Sequence, residues 1–493
     1  MAGKSRNTLI PLYLKVKDAL LRRIAAGEWR VGARIPPERK LVETCGASLI
    51  TLKRALRELE EEGYLLRKQG KGTFVVKGME SAPDVGIVSS YGSKTGISFG
   101  VMNPSREDVL LFELLRNEFQ LSHPDISLGV KTIFPAPQTS DDPYLSLLAG
   151  GDVPTVGEFF LHADYASIDG LVPLEGLPGF NEIHAGIDSL PPHLTGNSMN
   201  IPHVHALPYM RTVRAPVANS LALEQAGLTL SEAPFDWQSL RHWSEKLGVS
   251  SKQRAEGHFG VFSEPPSGWH GVIGYFPYIW SERKAPPENS MEDFCSATLG
   301  SGRADWLELL SELHRIGNPC PLGGSCVPLF AAGKIGLLLS GSQRHLALPE
   351  IIGGELLSPV ALPFPGPGRS VIGDFSLGVF AAGAKREDER LAAWEWIKFL
   401  MRPECQNLIS RNRDCLPVMA EAMTHWRKRQ TRYLNFDALL SSACLQYDFP
   451  GVRRALSLLG RTLKRTLFGS GDPQKELSML RENLLVLREG FSG

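Results

Sequence analysis

The stretch from Ile35 to Val76 constrains this chain more than any other, because its pattern changes from helical to extended across a single glycine. At 100° per residue, Leu52, Ala55, Leu56 and Leu59 fall within one arc of about 100° and must face a core. Ile50, Lys53, Arg54 and Arg57 fall on the opposite side. Ser48 is a good N-cap for this helix, and Gly63 a plausible left-handed stop. Two short extended runs follow, Tyr64 to Lys68 and Thr73 to Val76, joined by Gln69-Gly70-Lys71-Gly72, whose glycines permit a tight turn. Upstream, Pro36 and Pro37 preset a helix start, Glu38 suits its first turn, and Cys45-Gly46 ends it. Before that, Leu12, Val16, Ala19, Leu20 and Ile24 mark one face of a helix over Pro11 to Ala26. The expected order is helix, helix, turn, helix, hairpin.

Charge separates this head from the rest. Up to Met79 the chain carries 17 Lys or Arg against 8 Asp or Glu, a net of +9, and the remainder carries 36 against 45, a net of −9. A basic head on an acidic body implies that only the head meets a polyanion. Three cations and one apolar side chain on an exposed helix face suit the phosphates and base edges of a major groove. Arg67, Lys68 and Lys71 add charge to the hairpin.

With these residues in place, Pro11 to Val76 resembles the winged-helix domain of the GntR family of bacterial transcription regulators. The resemblance rests on Gly32 to Arg39, Thr51 to Leu56, Leu59 to Leu65 and Gln69 to Val75. It implies a dimer on two-fold symmetric operator DNA. It also implies a phosphate contact from Arg39, contacts from Thr51 and Lys53 on the recognition helix, and contacts from Gly70, Lys71, Gly72 and Thr73 of the wing, with Gln69 beside them. Two positions depart from the family. Pro37 stands where Ser is frequent, and Leu49 where a base-reading arginine is frequent. Leu49 lies at the edge of the core arc, and packing is its expected role.

Residues 78–96 are rich in Ser, Gly and Pro and read as a linker, with one short strand expected at Val85 to Ser89. The domain division is then 1–77, 78–96 and 97–493. In the body, strands are expected at Ile97 to Met102, Ser127 to Phe134 and Gly157 to Leu161, with helices Val109 to Ser122 and Asp141 to Ala149 between them. Such alternation implies a parallel sheet. Strands at Ile335 to Leu339, Pro359 to Leu362 and Leu377 to Ala381 follow a helical region, and Leu391 to Met401 and Asp472 to Arg488 are helices. A chain that leaves an α/β lobe and returns to it suggests two lobes around a cleft. The fold class is multidomain α+β, a winged helix-turn-helix followed by a two-lobed α/β body.

Several stretches of the body resemble bacterial extracellular solute-binding proteins of the sugar-binding type. They are Gly151 to Val156 with Gly170 to Leu174, Asn219 to Gly227 with Trp237, Gly333 to Gly336 with Ser340 to Ser342, and Pro363 to Gly368 with Ile372 to Phe375, followed by Ala393 to Leu400 and Arg402 to Glu404. By position in that pattern, Glu158, Tyr209, Trp280, Asp374 and Phe375 are the expected cleft residues. Aromatic faces stack on sugar rings and carboxylates accept hydrogen bonds from hydroxyls. Ordinary core packing is the alternative for each aromatic, and Trp243 and Trp269 are assigned to it. Gln343 and Phe375 stand where the family often has Trp, which points to a ligand other than a typical sugar.

Catalytic signatures are missing. There is no G-x-S-x-G, P-loop or H-E-x-x-H, and His162, His203 and His205 lack metal-ligand spacing with Cys, Asp or Glu. The seven cysteines include no C-x-x-C pair and read as reduced thiols. Met1 to Thr8 does not read as a signal peptide, and no run is apolar enough to span a bilayer, so a cytoplasmic protein is expected. The resulting expectation is a non-enzymatic regulator with no metal or cofactor, binding operator double-stranded DNA as a homodimer and sensing a sugar-like small molecule. A body resembling pyridoxal-phosphate enzymes and a transport-type binding protein are the alternatives.

Overall fold

The computed structural model describes residues 16, 20, 23, 29, 32–45, 48–61, 65–68, 72–75, 94–134, 143–188, 203–228, 236–248, 258–263, 266, 270–281, 283, 286–300, 305–317, 327–342, 359–361, 370–429, 439–440 and 443–491. The chain divides into two compact units, Met1–Tyr91 and Gly92–Gly493.

In the first unit, helices Glu38–Cys45 and Leu49–Glu61 precede strands β1 (Leu65–Lys68) and β2 (Gly72–Val75). The Thr51 amide donates to Ser48 Oγ at 3.2 Å, so Ser48 caps the second helix as its chemistry suggests. β1 and β2 pair antiparallel from Leu65↔Val75 to Lys68↔Gly72. Ile35 N donates to Thr73 O, and Val75 N to Ala33 O, so the segment after Gly32 runs along the hairpin. Leu41, Leu52, Ala55, Leu56, Leu59, Leu65 and Val75 share one buried core with Val16, Leu20, Trp29 and Ile35. Of the first expected helix only 16, 20 and 23 are described, and the strand expected at Val85 to Ser89 lies outside the described residues.

In the second unit the strands run β3 (Thr95–Met102), β4 (Ile126–Ile133), β5 (Val156–Phe159), β6 (Leu207–Arg214), β7 (Val217–Asn219), β8 (Phe259–Phe262), β9 (Ile335–Leu338), β10 (Pro359–Ala361), β11 (Ser370–Val379) and β12 (Ala443–Leu445). They form two sheets. One has the order β12-β11-β5-β3-β4 with β6 also on β11, and the other the order β10-β7-β9-β8. One core gathers around Phe99, Phe112, Phe119, Trp394 and Trp396, and another around Tyr275, Phe276, Trp280, Leu307 and Leu337, which also takes in Val371 and Ile372 of β11. These are the two lobes.

The βαβ start of the first lobe follows from local sequence. Ser105 and Asp108 form a reciprocal capping box on the helix Arg106–Ser122, and Leu111, Phe112, Leu115 and Phe119 are its buried face. β3 is parallel to both β4 and β5. The expected all-parallel sheet does not continue, however. β11 runs antiparallel to β5 and to β6, because the chain re-enters the lobe from the opposite side after visiting the second one. β11 also starts earlier than its apolar stretch suggests. Gly373 and Asp374 weaken the strand signal, and pairing with β6 overrides it. The helix expected at Leu391 to Met401 spans Glu387–Leu400, with three acids in its first turn and Glu389 accepting from the Arg386 amide at 3.0 Å.

Candidate DNA interface and solute site

On the head, Lys53 lies on the outer face of the helix Leu49–Glu61 with its side chain 54% exposed, 4.0 Å from Glu38. Glu38 also meets Arg67 of β1 at 2.6 Å. One carboxylate on the preceding helix thus faces a cation of the recognition helix and a cation of the hairpin. Both are surface pairs that an incoming phosphate can replace at small loss. Thr51 is half-buried, and its hydroxyl lies 2.8 Å from that of Ser48. Gly72 has φ +106°, and a Cβ there would run into the Arg34 guanidinium. Thr73 is half-buried beside it. Gln69, Gly70 and Lys71 lie outside the described residues, as do the side chains of Arg39, Ile50, Arg54 and Arg57. Leu49 departs from the packing role expected of it. It is 45% exposed, because it precedes the helix's first buried residue, Leu52, and among the described residues none of the core covers it.

In the body, β6 pairs antiparallel with β11 of the larger sheet, and β7 of the other sheet follows β6 directly in the chain. Asp374 and Arg211 are direct cross-strand partners, with Arg211 Nε 3.2 Å from the carboxylate. Arg211 also donates to the carbonyl of Asp188 at 3.2 Å. Burial raises the Asp374 pKa even though Arg211 opposes the shift. The Asp374 side chain keeps 18% exposure, and Phe375 is half-buried and packs against the cores of both lobes. Its ring meets Phe160 edge-on at 4.8 Å. These two expected cleft residues stand at the junction of the lobes.

The other three expected cleft residues are brought elsewhere. Glu158 and Tyr209 are fully buried within the first lobe and bonded to each other, with Tyr209 donating to the carboxylate. Arg413 ties them to a third element, with Nη1 2.8 Å from Glu158 and Nε 2.9 Å from Asp108. Burial pushes the Glu158 carboxyl up although Arg413 and Tyr209 favour its charged form. Trp280 is fully buried in the second lobe, stacked on Phe276 at 4.8 Å and edge-on to Tyr447 at 5.6 Å. None of these three side chains presents a face to solvent, so in this structure they act in packing and in an internal charge network. Trp243 is likewise core, while Trp269, Gln343 and the Pro363 to Gly368 motif lie outside the described residues.

Sequence reading missed Arg211, since nothing in its neighbourhood marks an arginine as buried; only its pairing with a residue 163 positions away does. It also missed Asp448, which accepts from the amides of His162 and Ala163 and lies 2.6 Å from His162 Nδ1. His205 is buried, with Nδ1 3.0 Å from the carbonyl of His203. Among the described residues no cluster of His, Cys, Asp and Glu is placed to hold a metal ion, and no helix is long and apolar enough to cross a membrane.

Comparison with known proteins places both units. Residues 12–75 match the family described as bacterial regulatory proteins, gntR family, and residues 116–427 match that described as bacterial extracellular solute-binding protein. The head is 49% identical over 76 residues to the histidine utilization repressor of Klebsiella aerogenes, covering 15% of this chain and 32% of that protein. The chain therefore spans about a third of the length of this curated relative. Maltose-bound MalE3 of T. maritima aligns with a TM-score of 0.63 at 15% identity, over 80% of this chain and 100% of that one. UgpB of Mycobacterium tuberculosis, solved with glycerophosphocholine, aligns with a TM-score of 0.61 at 19% identity, over 82% of this chain and 100% of that one. At such identities the likeness concerns the fold. The chain belongs to the bacterial extracellular solute-binding protein family and carries an N-terminal winged-helix domain of the bacterial gntR regulatory family.

Proposed function

We propose that this protein is a cytoplasmic transcription regulator, a repressor and not an enzyme, that binds two-fold symmetric operator DNA as a dimer and senses a small polar solute, sugar-like in its hydroxyls. The observation that carries this reading is the joining, in one chain, of a gntR-type head to a two-lobed solute-binding body. The repressor relative of the head supports the sense of regulation. On the DNA side, Lys53 with Thr51, Arg39, Ile50, Arg54 and Arg57 serves the groove, and Gln69 to Thr73 reach from the wing. On the solute side, Asp374 accepts hydrogen bonds from hydroxyls next to the cationic Arg211, and Phe375 offers an apolar face where the lobes meet. A solute held between the lobes favours their closed arrangement and, through it, one mutual orientation of the two heads. The coupling free energy is a few kcal/mol at most.

A thermal-shift screen of the whole protein against sugars, sugar acids and polyol phosphates tests this reading. A compound that raises the melting temperature of the body should change operator affinity by about 5- to 150-fold at fixed salt. A tight ligand that leaves operator affinity unaltered sinks the coupling. Lys53→Ala provides a separate check on the head. It should weaken operator binding and reduce the slope of log affinity against log salt by about one unit. An unchanged affinity and slope would remove Lys53 from the interface.

A further inference from the structure

The acidic balance of the body conceals one exception. The helix Val452–Phe468 carries five basic residues and no acidic one. Its apolar side, with Ala455, Leu456, Leu459, Leu463 and Leu467, is buried in the core of the second lobe. Arg453 also turns inwards, where its guanidinium meets Asp164 at 2.9 Å. The other four cations are exposed. At 100° per residue, Arg454, Arg461 and Arg465 fall within an arc of about 40° opposite the buried side, and Lys464 lies about 60° from Arg461.

Elsewhere on the body, surface cations of helices stand beside acids. Arg116 meets Glu113, Arg241 meets Glu245 and Glu312, and Lys398 meets Glu395. On the helix Val452–Phe468 only Arg465 of the outer four has such a neighbour, Glu476 at 3.5 Å. Arg454, Arg461 and Lys464 have no carboxylate partner among the described residues. Arg461 also lies three and four positions from Lys464 and Arg465, like-charged spacings that weaken a helix unless an anion lies across them.

We infer that this row is a second DNA contact, the helix Val452–Phe468 lying against phosphates of the duplex that the head holds, without reading its sequence. The inference rests on the reading of the head as a DNA binder and adds a surface on the body. Length selects a polyanion. From Arg454 to Arg465 the row is about 17 Å long, over which duplex DNA presents roughly ten phosphates, whereas a small anion spans two neighbouring cations at most. A membrane surface does not fit, because a helix lying on lipid needs its apolar side free and here that side is buried in the lobe. DNA is favoured over other polyanions because the head of the same chain brings it to a high effective concentration.

Titration of the full chain with a mixed-sequence duplex of about six helical turns, at a series of salt concentrations, tests the contact. For Arg454→Gln/Arg461→Gln/Lys464→Gln the slope of log affinity against log salt should fall by about two to three units, with the melting temperature unchanged. Arg454→Lys/Arg461→Lys keeps both charges and should bind as the wild type does. Bound duplex should also shield Lys464 from amine acylation severalfold. That shielding is read on the wild type and decides the matter if the triple variant fails to fold. An unchanged slope, an unshielded Lys464, or an equal loss of slope in the charge-keeping variant overturns the proposal. So does binding of poly-glutamate that the triple variant loses while its DNA slope stays, which would assign the row to an acidic protein. If Lys53→Ala lowers the slope and the triple variant does not, the head stands as the DNA reader and the row falls. A wild type that binds no duplex defeats the reading of the head, and the second contact with it.

Discussion

Arg413→Met should destabilise the solute-binding body by about 3–5 kcal/mol, the usual consequence of removing one partner from a buried charge cluster. Arg413 sits at the end of the helix Pro403–Arg413 and faces Asp108 of the helix Arg106–Ser122 and Glu158 of β5. Its guanidinium also donates to the Tyr209 hydroxyl oxygen at 3.0 Å and lies 5.3 Å from the ring of Phe112. Without it, two buried carboxyl groups and a buried phenol face one another with no cation. Glu158 is the most exposed to the consequence, since burial already pushes its pKa up and its Oε1 has no hydrogen-bond partner among the described residues. Adding Glu158→Gln to the Arg413 variant should recover part of the loss, because it removes the charge left stranded. Trp394 and Trp396 lie in the same core and report the transition by fluorescence during urea unfolding. A midpoint that does not move would show that the cluster is idle.

Between neutral pH and pH 4.5, the second lobe should lose roughly 2–3 kcal/mol of stability through His314 alone. This imidazole is 4% exposed, meets Phe468 edge-on at 4.5 Å and leaves Nε2 without a hydrogen-bond partner among the described residues. Burial lowers its pKa from the ordinary 6.5 to about 4. Over the window from about 6.5 down to about 4 the unfolded chain binds the proton and the folded one does not. Stability is therefore full above the unfolded pKa and is lost as pH falls through the folded one. In His314→Phe, which keeps the ring but cannot titrate, the difference between urea midpoints at pH 7.5 and pH 4.5 should shrink. Equal differences in the two proteins would assign the acid sensitivity to other groups.

Much of the architecture was legible because it depends on short-range patterns. The arc from Leu52 to Leu59, the Ser48 cap and the glycines after Gln69 each report on neighbours within a few positions, and they placed the head. In the body, the segment Val109 to Ser122 read as a helix, and the apolar runs near Ile97 and Ile335 marked strands. The direction of β11 was not legible. A strand's orientation depends on where the chain has been since the last one, and here it had crossed into another lobe and back. Leu49 escaped for a related reason. A helical wheel orders residues by angle and is blind to whether the core extends as far as the first turn.

The sequence by itself determined the two-part design. A basic head with a helix, a cap and a hairpin precedes an acidic body in which strands and helices alternate, and the residues responsible lie within a turn or a loop of each other. Tertiary structure alone decided what the charged and aromatic side chains do. Arg413 meets Asp108 across 305 positions and Glu158 across 255, while Arg211 meets Asp374 across 163. Those separations put Glu158 and Tyr209 in a buried network and left Asp374 and Phe375 at the junction of the lobes. A carboxylate or an aromatic ring reads the same in sequence whether it faces a guanidinium, a neighbouring ring or a solute. Its role is set by which distant strand the fold brings opposite it, and by how much water that approach leaves behind.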